Sequence, residues 1–199
     1  MRTIMILTAS LFICIASYTQ HPSYIDSIKS FQKKYMDELY PIIKQDTAFV
    51  SFYPINPSLR VVAKVELLTN QKVFKMTTSS GTSKEAEKYA LVSFTVNGKE
   101  QKLFAYQLLV LKNKQATSNL FFIPFMDGTS NNESYGGGRY IDFEKGDVQN
   151  NTLTIDFNKA YNPYCAFVSG YNCPIPPKEN TLTIAVKAGE RYWKEKFVH

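Results

Sequence analysis

In residues 23–43, SYIDSIKSFQKKYMDELYPII, apolar side chains recur at Ile25, Ile28, Phe31, Tyr35, Met36 and Leu39. Steps of three and four residues gather these on one face of an α-helix. Ser23 stands where an N-cap belongs, and Pro41 predicts the helix end. Beyond the helix the period shortens to two. AFVSFYPI (48–55) reads as a strand interrupted by Pro54, and LRVVAKVELL (59–68) alternates Val61, Ala63, Val65 and Leu67 on one face. QKVFKMTTS, NLFFIPFMD, GRYIDFE, NTLTIDFN and NTLTIAVKAG supply further short strands. Within 89–111, Asn97-Gly98 separates two alternating runs, a type I′ hairpin signal because both residues tolerate positive φ. One helix followed by about eight to ten short strands predicts a mainly β domain, an antiparallel sandwich or partly open barrel with one N-terminal amphipathic helix. The alternating β-α order of nucleotide-binding α/β folds is absent.

Composition narrows this picture. The chain has 199 residues, 44% hydrophobic and 20% charged, values of a globular protein, and 13 tyrosines and 14 phenylalanines suit pleated, half-buried surfaces. The net charge of +6 comes without any run of five basic residues. It reads as a solvated surface, not a nucleic-acid footprint.

MRTIMILTASLFICIASYTQ has a basic Arg2, an apolar run over residues 4–16, then Ser17 and Thr19. This is the layout of a secretory signal peptide over 1–19, cleaved between Ser17 and Gln20. The run is shorter than the roughly 20 residues of a membrane span. The mature chain, 20–199, is therefore expected as one exported domain, periplasmic or extracellular, without a membrane span. Cys14 follows Ile13, not the small residue that lipid attachment requires. Cleavage leaves Cys165 and Cys173, which an oxidising compartment would pair as a disulfide. Closing that loop of about nine residues is worth roughly 2.5 kcal/mol.

Three segments carry the polar chemistry. In FFIPFMDGTSNNESYGGGRYIDF (121–143), Asp127, Thr129, Asn131 and Glu133 alternate as hard-cation ligands would. The EF-hand pattern fails, since Asn132 occupies the glycine position and Gly138 the acidic one, so no metal is expected. Arg139 directly follows three glycines, where its guanidinium would clamp a carboxylate or phosphate or else pair with Asp127, Asp142 or Asp156. DFNKAYNPYCAFVSGYNCPIPPKEN (156–180) adds Asp156, Asn158 and Asn162, and AVKAGERYW adds Glu190. The only histidines of the mature chain are His21 and His199, near its two ends. Ser-His-Asp or Cys-His catalysis has no base there, so acid–base work would fall to Asp127, Asp156 and Glu190. No cofactor motif is present.

These blocks, LFFIPFMDGTSNNESYGGGRYIDF, DFNKAYNPYCAFVSGYNCPIPP and ENTLTIAVKAGE, resemble in wording and order the signatures of the prokaryotic family catalogued as domain of unknown function 1684. The resemblance covers most of residues 60–190. Its matching positions are Asp127, Thr129, Tyr135, Gly138, Arg139, Asp156, Asn158, Tyr161, Asn162, Pro163, Cys165, Cys173, Pro174 and Glu190. It implies a shared scaffold and site, without an activity or substrate. The leading expectation is a binding module for a small polar or anionic ligand, anchored by Arg139 with Tyr135, Thr129, Asn158 and Asn162. The alternatives are a carboxylate-dependent envelope hydrolase using Asp127, Asp156 and Glu190, and motif residues that only brace the fold.

Overall fold

The computed structural model describes residues 23–193 and residue 196. The expected signal peptide, with Cys14, and both His21 and His199 lie outside the described residues. Helix α1 (Tyr24–Ile43) starts at Ser23, whose Oγ accepts the Asp26 amide at 3.2 Å. It buries Ile28, Tyr35, Leu39 and Ile43, the i, i+4 stripe of its apolar face. The helix passes the expected stop at Pro41 by two residues. So close to the C-terminus a missing amide removes only one bond, and the Lys44 amide closes the last turn on Tyr40.

Among the described residues seven strands follow, joined in one antiparallel sheet: β1 (Arg60–Leu67), β2 (Phe74–Thr77), β3 (Ser83–Val96), β4 (Lys99–Leu108), β5 (Leu120–Phe125), β6 (Arg139–Glu144) and β7 (Thr152–Asp156). The order is β6-β5-β4-β3-β1-β7, with β2 on the first half of β3. The sheet curls into a nearly closed barrel. Asn97 and Gly98 take φ of 50° and 74°, the turn expected between β3 and β4. Inside lie Ala63, Val65, Val92, Leu103, Ile123 and Phe125, the inward residues of the alternating runs. Outside, Tyr35, Leu39 and Ile43 of α1 pack on Ala166 and Phe167. Among the described residues no helix is long and apolar enough to cross a membrane.

Two expected strands take another form. Residues 44–49 wind into a 3₁₀ turn, and Phe52 makes a single bridge to Glu190. Residues 181–190 keep the period of two, burying Leu182, Val186 and Ala188, yet they join no ladder. Their backbone groups are bonded elsewhere: Leu182 to Met126, the Thr183 amide to the Gln101 side chain, and the Val186 amide to Asp127.

The loop 156–180 is built of three 3₁₀ turns, Phe157–Lys159, Tyr164–Ala166 and Lys178–Asn180, the last two capped by Pro163 and Pro177. Asn180 fills a gap in the sheet. β4 and β5 share one register pair, Tyr106 with Phe122. Where they part, the Asn180 side chain accepts the Phe104 amide at 2.9 Å and donates to the carbonyls of Phe104 and Pro124 at 2.8 and 2.6 Å.

Candidate functional site

Arg139, the first residue of β6, is only 1% exposed. Its Nη1 donates to the carbonyls of Ala188 at 2.5 Å and Glu190 at 3.2 Å, and its Nη2 to that of Val186 at 2.8 Å. Nη2 also lies 3.4 Å from both Asp127 Oδ1 and Thr129 Oγ1. The rings of Phe125 and Tyr53 flank the guanidinium at 5.3 and 5.8 Å. Burial pulls the Arg139 pKa down, and Asp127 opposes the shift. Asp127 in turn accepts the Thr129 hydroxyl at 2.9 Å and the Val186 amide.

Two glycines permit this close approach. At Gly138, φ +85°, a Cβ would stand 2.4 Å from Pro176 Cγ and 2.8 Å from the Phe125 carbonyl oxygen. At Gly189, φ +75°, it would meet the carbonyl oxygens of Ala160 and Phe157 at 2.5 and 2.6 Å.

Glu190 is wholly buried. Its Oε2 accepts the Tyr35 hydroxyl at 2.8 Å and the Asn162 amide at 2.7 Å, and Oε1 has no partner among the described residues. Burial pushes its pKa up to about 8, against the hydrogen bonds that favour the anion. Burial, with Glu190 beside it, also raises the Tyr35 phenol. Helix α1, the 156–180 loop and the segment 181–190 thus meet at one carboxyl group.

A separate network closes the end of β7. Asp156 accepts the Asn158 amide at 3.0 Å and the Tyr24 hydroxyl at 3.1 Å, while Asn158 bonds the Asn56 amide and carbonyl at 2.7 and 2.9 Å. The structure therefore brings Asp127, Thr129 and Arg139 into contact and ties Glu190 and Asn162 to them. Asp156 with Asn158, and Tyr135 beside Cys165, lie apart. Arg139, expected as a ligand anchor, instead has both terminal nitrogens bonded to backbone carbonyls. All three candidate acids are buried, and Asp156 alone among them borders a cleft. The alternating oxygens of 127–133 also part company. Asp127 and Thr129 turn to Arg139, while Glu133 pairs with Lys187 at 2.8 Å on the surface.

That cleft, about 430 Å³, occupies the open seam of the barrel, between edge strands β6 and β7. Asp142 lines one wall. Arg60, Thr154, Asp156 and Lys159 line the other, and Asp147 and Gln149 the hairpin end. Tyr140 exchanges both backbone bonds with Tyr161, so Asp142, two residues on, turns its amide and carbonyl into the seam. Asn151 bonds towards β1, which by the same alternation leaves Thr154 facing the seam from β7.

Cys165 and Cys173, expected as a disulfide, stand here as free, half-buried thiols. The Cys165 amide donates to Cys173 Sγ at 3.4 Å, and the Tyr135 hydroxyl lies 3.8 Å from Cys165 Sγ.

The model of a family described as "Protein of unknown function (DUF1684)" matches residues 46–191, which hold the buried cluster, the seam and both cysteines. The chain belongs to this family. The solution NMR structure of an uncharacterized protein from gene locus rrnAC0354 of Haloarcula marismortui is similar, with a TM-score of 0.63 and 29% identity. That match covers 84% of this chain and 95% of the archaeal one. No curated protein matches the chain.

The DUF1684 match begins after α1, yet α1 supplies Tyr35 to Glu190 and Tyr24 to Asp156. Reading the sequence missed both tyrosines because they lie on a helix whose stripe reads as packing. It also missed Arg60 and Lys159. Arg60 faces Asp156 only through the β1–β7 register, which no local pattern in the chain encodes.

Proposed function

We propose that this DUF1684 protein is an exported binding module that takes a small polar ligand carrying an anionic group into the seam cleft. One observation carries the reading. Arg60 and Lys159 line the cleft, and neither has a carboxylate within ion-pair distance among the described residues. Their contacts are with aromatic rings, Arg60 over Tyr24 at 5.8 Å and Lys159 over Phe31 at 5.6 Å. The acids of the cleft, by contrast, already accept protein donors: Asp156 from Tyr24 and Asn158, Asp142 from Tyr161 at 2.8 Å, and Asp147 from the Glu144 amide at 2.8 Å. A carboxylate or phosphate fits the Arg60–Lys159 end, and donor groups of the same ligand fit Asp142 and Asp147. The seam backbone at Asp142 and Thr154 adds fixed donors and acceptors, and about 430 Å³ suits a small molecule. The features of residues 1–19 support export, which also exposes Cys165 and Cys173 to oxidants.

The test is calorimetric titration of the full chain with amino acids, hydroxy acids and sugar phosphates, each beside a neutral analogue. Charged members are expected to bind and neutral analogues to bind at least tenfold more weakly. Arg60→Ala with Lys159→Ala lowers the affinity by a further tenfold or more, at unchanged melting temperature. Binding that ignores the double substitution, or no binding across the panel, overturns the reading.

A further inference from the structure

We propose that Cys165 and Cys173 form a reversible dithiol–disulfide site that exchanges with low-molecular-weight disulfides, Cys165 attacking first and Cys173 resolving. The pair lies outside the seam and stands independently of the ligand reading. Its geometry rests on two separately anchored frames. Cys165 sits in the 3₁₀ turn Tyr164–Ala166, whose Ala166 packs against α1. Cys173 is held by the turn after β2: its amide donates to Ser79 Oγ at 3.1 Å, and its carbonyl accepts the Ser79 amide at 2.8 Å. The next turn of chain is fixed as well, by the Ile175 amide on the Thr77 carbonyl at 2.8 Å. The two anchors bring Cys173 Sγ to 3.4 Å from the Cys165 backbone nitrogen.

Between the anchors the chain turns at Gly170. Gly170 has φ +89° with open space where a Cβ would be, and the rings of Tyr164 and Tyr171 meet at 5.2 Å across the loop. Both cysteine residues are partly exposed, unlike a deeply buried structural bridge.

The two cysteines are not equivalent. The Cys173 thiol, donating to the Cys165 sulfur, favours the Cys165 thiolate and lowers its pKa, and hydrogen bonds from Ser79 and Tyr135 act in the same direction. Sharing that proton, and burial, raise the pKa of Cys173. The exchange balances in two steps. The Cys165 thiolate attacks one sulfur of RS–SR; the S–S bond of the reagent breaks, RS⁻ leaves, and Cys165 carries a mixed disulfide. RS⁻ then takes the Cys173 proton, and the Cys173 sulfur attacks Cys165. The protein disulfide forms as the second RS⁻ departs and is protonated from water. Two electrons pass from the dithiol to the reagent, and a thiol in excess reverses both steps.

The experiment treats the reduced, folded full chain with oxidised glutathione and maps the products by mass spectrometry. The wild type is expected to give the Cys165–Cys173 disulfide, reversed by reduced glutathione without unfolding. Cys173→Ser accumulates glutathione on Cys165, whereas Cys165→Ser reacts at least tenfold more slowly. Iodoacetamide on the unsubstituted protein gives a second readout free of folding effects, with Cys165 alkylated at least tenfold faster than Cys173. The proposal is overturned if Cys173 is the faster thiol, if both react only as fast as the chain unfolds, or if the bridge once formed resists glutathione in the native state.

Discussion

Arg139 shows how one residue type serves opposite ends. A guanidinium after a glycine run suits an anion in solvent, yet the same planar fork also suits converging backbone carbonyls. Here it collects three of them from 186–190 and pairs with Asp127 at 3.4 Å, both side chains 1% exposed. Removing one member of a buried pair leaves the other uncompensated, at a cost of about 3–5 kcal/mol. Arg139→Ala is accordingly expected to lower the unfolding free energy by about that amount in urea titrations. Arg139→Lys recovers little, because one ammonium cannot span the carbonyls of both Val186 and Ala188. A lysine variant as stable as the wild type would show that the fork geometry is irrelevant.

At the level of elements, the segment 181–190 and the wedge at Asn180 share a cause. Both read as strand because their side chains alternate or are β-formers, but strand identity needs a neighbour offering a free backbone edge. Their neighbours offer only scattered backbone bonds, such as Leu182 to Met126 and Gly128 to Ile184, and side chains take other groups: Gln101, Asp127 and Arg139 for the segment, and Asn180 itself for the edge of β4. Asn180→Ala would leave the Phe104 amide and the Pro124 carbonyl buried without partners, costing about 1–3 kcal/mol for each group left unsatisfied. Hydrogen exchange at the Phe104 amide reads this locally, and unaltered protection there would contradict the wedge role. The apolar stripe of α1 and the Asn97-Gly98 turn, in contrast, are set by spacing and φ preference within a few residues. They were legible from the chain.

For the whole molecule, Glu190 links stability to pH. Its folded pKa of about 8 exceeds the ordinary 4.5, so between these values the folded state holds a proton that the unfolded chain has lost. The resulting contribution is full below pH 4.5 and declines as pH rises towards about 8, at about 1.4 kcal/mol per unit. Above that the slope from this group vanishes. Glu190→Gln keeps an acceptor for Tyr35 and Asn162 without the charge. Its stability relative to the wild type should therefore rise across that window, as followed by urea midpoints. A constant difference across the window would mean that Glu190 does not titrate there.

The chain by itself determined the helix and most strands, because periods of 3.6 and 2 and turn preferences are local properties. It singled out Asp127, Arg139, Asp156 and Glu190 but not their arrangement. The tertiary structure alone decided that all four are buried, three among backbone carbonyls, tyrosines and one another, and Asp156 at the edge of a cleft with Arg60 and Lys159. The reason is physical: whether a charged side chain faces water or a carbonyl depends on strand register and sheet closure, and these join residues far apart in the chain, such as Arg60 and Asp156.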